Sequence, residues 1–156
     1  MTRILLTGAS GLLGINLAMT HKDDYAISGV VHSRPLELQG VEVFQADLLA
    51  PGALDALFAQ TQPDWVIHAA ALADLDACER DPGLAHLVNG ELPREIALRA
   101  RAHHARLLHV STDAVFDGKQ GNYNEQSEPS PPNAYARAKL AGEGAVLDAY
   151  PGAIVA

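Results

Sequence analysis

The 156-residue sequence predicts an α/β domain, in which helices cover both faces of a parallel β-sheet. Short apolar stretches recur along the chain, and segments with helical spacing separate them. Most of these stretches are continuously apolar, as expected of strands that are buried on both faces. Hydrophobic residues make up 48% and charged residues 19% of the sequence, and no repeat or linker interrupts it. We therefore expect one globular domain over residues 1–156.

Five apolar stretches are predicted to be buried strands, and a sixth strand begins close to the last residue. The first ends at a glycine, and the last is cut short. In chain order the predicted strands are Arg3–Thr7, Ala26–Val31, Val41–Ala46, Asp64–His68, Arg106–Val110 and Ala153–Ala156.

Four helices are predicted between these strands. On the first, Leu12, Ile15 and Met19 share an apolar face. The second begins at a proline, where a missing N–H costs little. Pro93 should kink the third helix or start a new one, and Asn133 is the expected N-cap of the last. The predicted helices are Leu12–His21, Pro51–Gln60, Pro82–Arg101 and Asn133–Tyr150.

Two further segments are predicted to be loops. Residues 118–132 are rich in glycine and proline, which favour irregular structure. Asp74, Asp76, Glu79 and Asp81 form an acidic cluster that is interpreted as a solvated loop, with substrate contact as the alternative.

The sequence TGASGLLG, residues 7–14, connects the first predicted strand to the first helix. A dinucleotide pyrophosphate needs a tight turn, close backbone approach and the N–H groups of a helix start, and glycine permits all three. The alternative is an ordinary strand-to-helix turn. At this position the spacing favours a Rossmann-like, doubly wound parallel sheet that binds NAD(P). The predicted pyrophosphate-binding residues are Gly8, Ser10, Gly11, Leu12, Leu13 and Gly14.

The end of the second strand favours NADP as the cofactor, with NAD as the alternative. An NAD site usually places a carboxylate there for the ribose 2′-hydroxyl, but this chain has His32, Ser33 and Arg34. Ser33 can donate a hydrogen bond to a 2′-phosphate, and Arg34 a charge-assisted one. The alternative for Arg34 is a solvated loop position.

Two more strand ends are predicted to contact the cofactor. Asp47 and Leu48 follow the third strand and could touch the adenine. Small side chains after the fourth strand would let a ribose approach the backbone, although core packing also explains them. These residues are Ala69, Ala70 and Ala71.

Tyr135 and Lys139 are predicted to be catalytic and to contact the cofactor. Positions i and i+4 lie on one helix face, so the ammonium would stand beside the phenol and favour its ionised form. Tyr135 would then serve as a proton donor.

Ser111 and Thr112 follow the fifth strand, at the edge where open α/β sheets bind ligands. Thr112 could hydrogen-bond a substrate carbonyl, whereas the alternative is a simple turn.

These motifs together resemble the extended short-chain dehydrogenase/reductases. TGASGLLG, HAAA (68–71), VSTDAVFDG (110–118) and YARAK (135–139) occur in that family's order, as do Asp76-Ala77-Cys78-Glu79 and Val88-Asn89. The resemblance is closest to the dTDP-4-dehydrorhamnose reductases, where a similar STDAVFDG precedes Gly-x-Tyr-x-Glu. Here that motif is Gly121, Tyr123 and Glu125.

The resemblance implies a reaction. NADPH or NADH would deliver hydride to the C4 ketone of a nucleotide-linked 4-keto-6-deoxy sugar. Tyr135 would donate the proton, Lys139 would stabilise the phenolate and hold the ribose, and Thr112 would orient the carbonyl. Asn89 could hold the long helix or a water relay near Lys139. Ala136 stands where the family often has glycine.

The resemblance also implies a C-terminal part that closes over the sugar nucleotide. We expect this chain to be truncated before it, with the cofactor domain and the catalytic pair present. An incomplete sheet exposes an unpaired edge, so a homodimer is one expectation. Some reductases of this type are associated with magnesium, but the sequence shows no dedicated magnesium site.

Composition argues against several other functions. The net charge is −8 with 11 scattered basic residues, unlike a nucleic-acid surface. No apolar run is long enough to span a membrane, and the start lacks the features of a signal peptide. A single Cys78 excludes an intramolecular disulfide, so a soluble cytoplasmic protein is expected. The seven histidines show no metal-ligand spacing, and His109 is expected to point away from the others.

Two alternative functions stay open within the resemblance. Another sugar-nucleotide epimerase or dehydratase is one, because dehydratases carry an acidic residue beside the hydroxyl residue, and Asp113 follows Thr112. A non-catalytic NADP-binding subunit that partners methionine adenosyltransferase is the other, because it shares these motifs. Fold alone does not separate them.

Overall fold

The computed structural model describes all residues from Met1 to Ala156 and has the predicted α/β architecture. Six strands form one parallel sheet, and six helices flank it. None of the helices combines the length and the apolar character needed to cross a membrane. The elements are β1 (Arg3–Thr7), α1 (Leu12–His21), β2 (Ala26–Val31), β3 (Glu42–Gln45), α2 (Ala53–Thr61), β4 (Trp65–His68), α3 (Leu75–Arg80), α4 (Pro82–His86), α5 (Leu92–Ala102), β5 (Arg106–His109), α6 (Ala134–Ala149) and β6 (Ile154–Val155).

The strand order is β3-β2-β1-β4-β5-β6, which confirms the Rossmann-like doubly wound topology. The chain runs outward from β1 to β3, returns to pair β4 with the other edge of β1, and then runs outward again. The direction therefore reverses between β1 and β4. Loops from these two strands separate there at the carboxyl edge, where such sheets bind their ligands.

Side chains alternate between the two faces of the sheet and build two separate cores. On one face, Leu5, Val66 and Leu107 pack against α2, α5 and α6 around the buried Phe58. On the other face, the smaller core forms beneath α1. The members of this smaller core are Ile4, Leu6, Ala9, Ala18, Ile27 and Val31.

The predicted apolar face of α1 is not the face that packs on the sheet. Leu12 is 86% and Met19 46% exposed, whereas Gly14 and Ala18 are the buried residues of this helix. Small residues let the helix backbone lie close to the sheet, which brings the glycine loop near the strand ends. Close approach, rather than apolar bulk, therefore decides which face of α1 is buried.

The predicted third helix is divided into two. A π-helical turn, Leu87–Glu91, separates α4 from α5. Pro93 lies in the first turn of α5, so it starts a new helix, which was one of the two expected outcomes. The second helix begins later than predicted, because Gly52 has a φ of +78° and starts α2 after the proline. Asn133 is confirmed as the N-cap of α6, where its side chain accepts the Ala136 N–H at 2.8 Å.

The acidic cluster is solvent-exposed, as the sequence indicates, but it is helical rather than a loop, which corrects that part of the interpretation. It forms the short helix α3 and the start of α4. Asp74 and Asp81 are N-caps that accept the Ala77 and Leu84 N–H groups at 2.8 and 2.9 Å. Glu79 accepts the N–H of Ala134 at 2.7 Å, at the start of α6. The carboxylates satisfy helix-terminal donors, a use that composition alone does not reveal.

Candidate active site

The glycine loop packs directly against the segment that follows β4. Gly8 has a φ of +73°, and a Cβ there would stand 2.7 Å from the Ala70 nitrogen and 2.8 Å from the Ala69 carbonyl. A Cβ on Gly14 would lie 2.8 Å from Cα of Ala9 and would overlap the Gly8 carbonyl oxygen. Both positions therefore require glycine, for conformation at Gly8 and for space at each.

The N-terminus of α1 faces outward from this loop with unpaired donors. The first helical hydrogen bond runs from the Ile15 N–H to the Gly11 oxygen at 2.9 Å, so the preceding N–H groups have no partner in the helix. Gly11 caps the helix without a side-chain bond, and Leu12 is exposed. Ser10 is half-buried in the turn before it. This arrangement fits an anionic group such as a pyrophosphate.

The residues predicted to bind the 2′-phosphate of the ribose are exposed to solvent after β2. His32, Ser33 and Arg34 are all exposed, and none forms a hydrogen bond within the chain. A guanidinium without an internal carboxylate partner remains available to an added phosphate. Whether they contact a cofactor stays a prediction.

The two residues after β3 have different surroundings. Asp47 is exposed, and its side chain accepts the Leu49 N–H at 3.0 Å. Leu48 is half-buried against the larger core. Core packing therefore explains Leu48 without a cofactor, while Asp47 stays a candidate adenine-side contact.

Thr7 ties the alanine segment to the glycine loop. Its hydroxyl accepts the Ala70 N–H at 3.2 Å, which fixes the backbone of Ala69–Ala71 beside Gly8. Ala71 itself is exposed. The small residues thus let two backbones meet, and they leave the crevice between β1 and β4 free of bulky side chains.

Lys139 is almost fully buried at the carboxyl end of β5. Its side chain is 2% exposed, and Nζ donates to the backbone oxygen of Val110 at 2.6 Å. Burial lowers the pKa of Lys139 to about 8, while the nearby Glu143 carboxylate acts to raise it. The ammonium is thereby fixed at the residue that precedes Ser111 and Thr112. Its role towards Tyr135 and the ribose stays a prediction.

Tyr135 and Thr112 flank this lysine without bonding each other. Tyr135 is half-buried against the small core cluster that contains Cys78 and Ala138, and its hydroxyl has no hydrogen-bond partner in the chain. Thr112 caps a 3-10 turn, Asp113–Val115, by accepting the Ala114 N–H at 3.2 Å. Thr112 therefore takes part in a turn, as the alternative interpretation of this residue expected. Its O–H still remains free to donate, since capping uses only an acceptor lone pair.

His109 does not point away from the other histidines, which corrects the sequence-based expectation. Thr7, His68 and His109 are paired in register across β1, β4 and β5, so their side chains share one face. The rings of His68 and His109 stack with centroids 5.2 Å apart. Equal strand positions in a parallel sheet predict this row once the strand order is known.

Burial keeps both imidazoles uncharged. Desolvation lowers the pKa of His109 to about 3 and that of His68 well below its ordinary value, and the Lys139 charge acts in the same direction. Thr7 lies 2.7 Å from Nδ1 of His68. The Thr7 hydroxyl, which already accepts from Ala70, keeps its O–H and a second lone pair, so it can pair with Nδ1 of either neutral His68 tautomer.

Two anchoring contacts have partners that the sequence does not identify. The side chain of Asn89 is buried and bonds both the N–H and the oxygen of Leu72 at 2.9 Å, which fastens the segment after β4 to the π-helical turn. Glu143 accepts a hydrogen bond from the Ser111 hydroxyl. Glu143 follows Lys139 by one helical turn, and that spacing is the only sequence signal for it.

No group of three or more histidine, cysteine, aspartate and glutamate side chains forms an arrangement that could hold a metal ion.

Comparison with protein families and curated proteins gives concordant matches. The family described as RmlD substrate binding domain matches residues 1–156. The dTDP-4-dehydrorhamnose reductase of Mycobacterium tuberculosis is 36% identical over 159 residues, which cover 98% of this chain and 48% of that protein. The methionine adenosyltransferase 2 subunit beta of Xenopus tropicalis is 37% identical over 154 residues, covering 98% and 45% respectively.

Solved structures show the same fold. A crystal structure of a hypothetical dTDP-4-dehydrorhamnose reductase from Sulfolobus tokodaii has a TM-score of 0.89 and 36% identity, and the match covers 99% of this chain and 54% of that one. The dTDP-4-dehydrorhamnose reductase of Bacillus anthracis in complex with NADP has a TM-score of 0.84 and 27% identity, with 99% and 52% covered. This chain spans about half the length of the proteins it matches.

Proposed function

The chain belongs to the RmlD substrate binding domain family, and from that premise we propose that it binds NADPH and carries the acid–base residues of a sugar-nucleotide ketoreductase. The proposed substrate is a nucleotide-linked 4-keto-6-deoxy sugar, reduced at C4. One observation carries the proposal: the buried Lys139 ammonium is bonded to Val110, two residues before Thr112, and Lys139 lies one helical turn from Tyr135.

The glycine cradle supports a dinucleotide cofactor. A Cβ at Gly8 or Gly14 would fill the space between the loop and its neighbours, and the start of α1 presents unpaired N–H groups. Exposed Ser33 and Arg34 would take the 2′-phosphate, which favours NADPH over NADH. The Bacillus anthracis relative in complex with NADP supports the same choice.

Each catalytic side chain has a role that follows from its surroundings. NADPH, when bound, supplies the hydride. The Tyr135 hydroxyl has no internal partner and is half-exposed, so it is available to donate a proton to the ketone oxygen. The free O–H of Thr112 would hold that oxygen. The Lys139 charge favours the phenolate that remains after proton transfer.

The test is oxidation of NADPH by the chain in the presence of a dTDP-4-keto-6-deoxy sugar, compared with Tyr135→Phe. We expect the variant to keep NADPH affinity within about twofold and to lose turnover by at least a hundredfold, as for removal of a general acid. If the wild type binds NADPH but no ketosugar accelerates its oxidation, the reductase assignment fails. Equal turnover by Tyr135→Phe would contradict the role of Tyr135.

A second candidate has a specific observation in its favour. The methionine adenosyltransferase 2 subunit beta of Xenopus tropicalis matches this chain as well as the reductases do. In that case the chain would bind NADPH and associate with a methionine adenosyltransferase without turning over a ketosugar. The same assay, combined with size-exclusion chromatography in the presence of that enzyme, separates the two.

A further inference from the structure

Lys139 lies in an environment that opposes its charge. The side chain is 2% exposed and has one hydrogen bond, to the neutral oxygen of Val110. No carboxylate forms an ion pair with its ammonium, although an unpaired buried charge is among the most costly groups in a protein interior. Something else must maintain its charge if Lys139 acts as a cation.

The elements packed around Lys139 offer only one negative group that acts on it. From the sheet, β4 and β5 contribute His68 and His109, which are buried and uncharged. The π-helical turn contributes Asn89, whose amide is bonded to Leu72. On α6 itself the titratable neighbours are Tyr135 and Glu143, one turn before and one turn after.

The remaining charges near α6 do not act on Lys139. Asp113, in the 3-10 turn that packs on α6, is exposed to solvent. From α3, Glu79 accepts the Ala134 N–H and lies 4.0 Å from Arg137. From α4, His86 lies 3.7 Å from Glu91. The Glu143 carboxylate is the one charge that raises the pKa of Lys139 against its burial.

Glu143 is also fixed in place from the strand side. The Ser111 hydroxyl donates a hydrogen bond to it, and the Ser111 N–H donates to the Ala156 oxygen at 2.5 Å. Ser111 immediately precedes Thr112. One carboxylate therefore connects the turn that carries Thr112 to the helix that carries Tyr135 and Lys139.

We propose that Glu143 is a positioning residue of the ketoreductase site, which keeps the Lys139 ammonium charged and holds the Ser111–Thr112 turn against α6. The inference rests on the proposed function for its catalytic meaning, whereas the charge coupling is a property of the folded chain alone. Ser111 helps to hold the turn against α6, but it carries no charge that could keep Lys139 protonated.

The experiment titrates Lys139 directly. The sequence has three lysines, Lys22, Lys119 and Lys139, so side-chain NMR of lysine-labelled protein resolves each one, and Lys139→Arg assigns the signal. In Glu143→Gln the Lys139 midpoint should fall by about one pH unit, because a nearby charge is removed while a hydrogen-bonding group remains. Ser111→Ala keeps the carboxylate and should shift the midpoint by less than half as much.

An unchanged Lys139 midpoint in a folded Glu143→Gln protein overturns the proposal, and so does an equal shift in Ser111→Ala. Circular dichroism and the unshifted Lys22 and Lys119 signals establish that the variant is folded. The NADPH-oxidation pH profile should move by the same amount as the Lys139 midpoint. If the chain fails to use NADPH, the proposed function falls, while the lysine titration still decides the role of Glu143.

Discussion

Gly142 of α6 lies against the backbone of Asn89 so closely that a Cβ on the glycine would overlap the Asn89 carbonyl oxygen. The same Asn89 fastens Leu72 through its side chain. The contact therefore connects α6, the π-helical turn and the segment after β4. Its tightness sets the distance at which α6 presents Lys139 to the end of β5.

Gly142→Ala should therefore destabilise the chain, and Gly144→Ala provides a matched control on the same helix. A Cβ at Gly144 meets nothing within 4 Å. We expect Gly142→Ala to lower the free energy of unfolding by about 2 kcal/mol or more, as forced overpacking does. Gly144→Ala should raise it by roughly 0.5–1 kcal/mol through helix propensity. Urea unfolding measures both, and equal effects would contradict the close-contact explanation.

His109 should make the fold sensitive to mild acid. Its pKa is about 3 in the folded chain, whereas a histidine in an unfolded chain titrates near ~6.5. Between these values the unfolded state binds more protons, so stability falls as the pH falls. The slope contributed by one such residue is about 1.4 kcal/mol per pH unit.

His109→Gln removes this titration and should flatten the dependence of unfolding free energy on pH between 6 and 4.5 by about that slope. The comparison uses slopes, so a uniform loss of stability in the variant does not affect it. His32→Gln, at an exposed position, should leave the slope close to that of the wild type. Parallel curves for wild type and His109→Gln would show that the buried imidazole is not kept neutral.

Arg34→Ala should weaken NADPH binding about tenfold, the loss of one charge-assisted hydrogen bond, and leave NADH binding nearly unchanged. Arg106→Ala removes the same charge at the opposite edge of the sheet, where Arg106 lies over the Trp65 ring. It should affect neither cofactor. Fluorescence titrations give all the affinities. Tighter binding of NADH than of NADPH by the wild type would contradict the cofactor assignment itself.

Much of the fold could be predicted from local sequence signals, and the structure confirms these elements. Continuous apolar runs at Arg3–Thr7 and Ala26–Val31 coincide with β1 and β2, because buried parallel strands need no polar face. Capping chemistry located the start of α6 at Asn133. The glycine spacing indicated the loop after β1, because a positive φ and a close backbone contact both require glycine.

The predictions that the structure corrected have one physical cause in common. Each depends on contacts with parts of the chain that are distant in sequence. Glu79 is an ordinary acidic residue until the Ala134 N–H at the start of α6 requires an acceptor. The pairing of His68 with His109 depends on strand order, which no local pattern fixes. Leu12 is exposed on α1 because Gly14 and Ala18 allow a closer approach to the sheet.

β1 precedes the other five strands of this sheet along the chain, yet it lies in the middle of the sheet, between β2 and β4. The turn after it cannot close until the backbone of Ala69 and Ala70 arrives to meet Gly8. At roughly 5–20 residues per second, that part of the chain emerges several seconds later. During this interval the glycine-rich turn has no wall to fold against. The glycine-rich turn is therefore completed only after the segment that follows β4 has been synthesised.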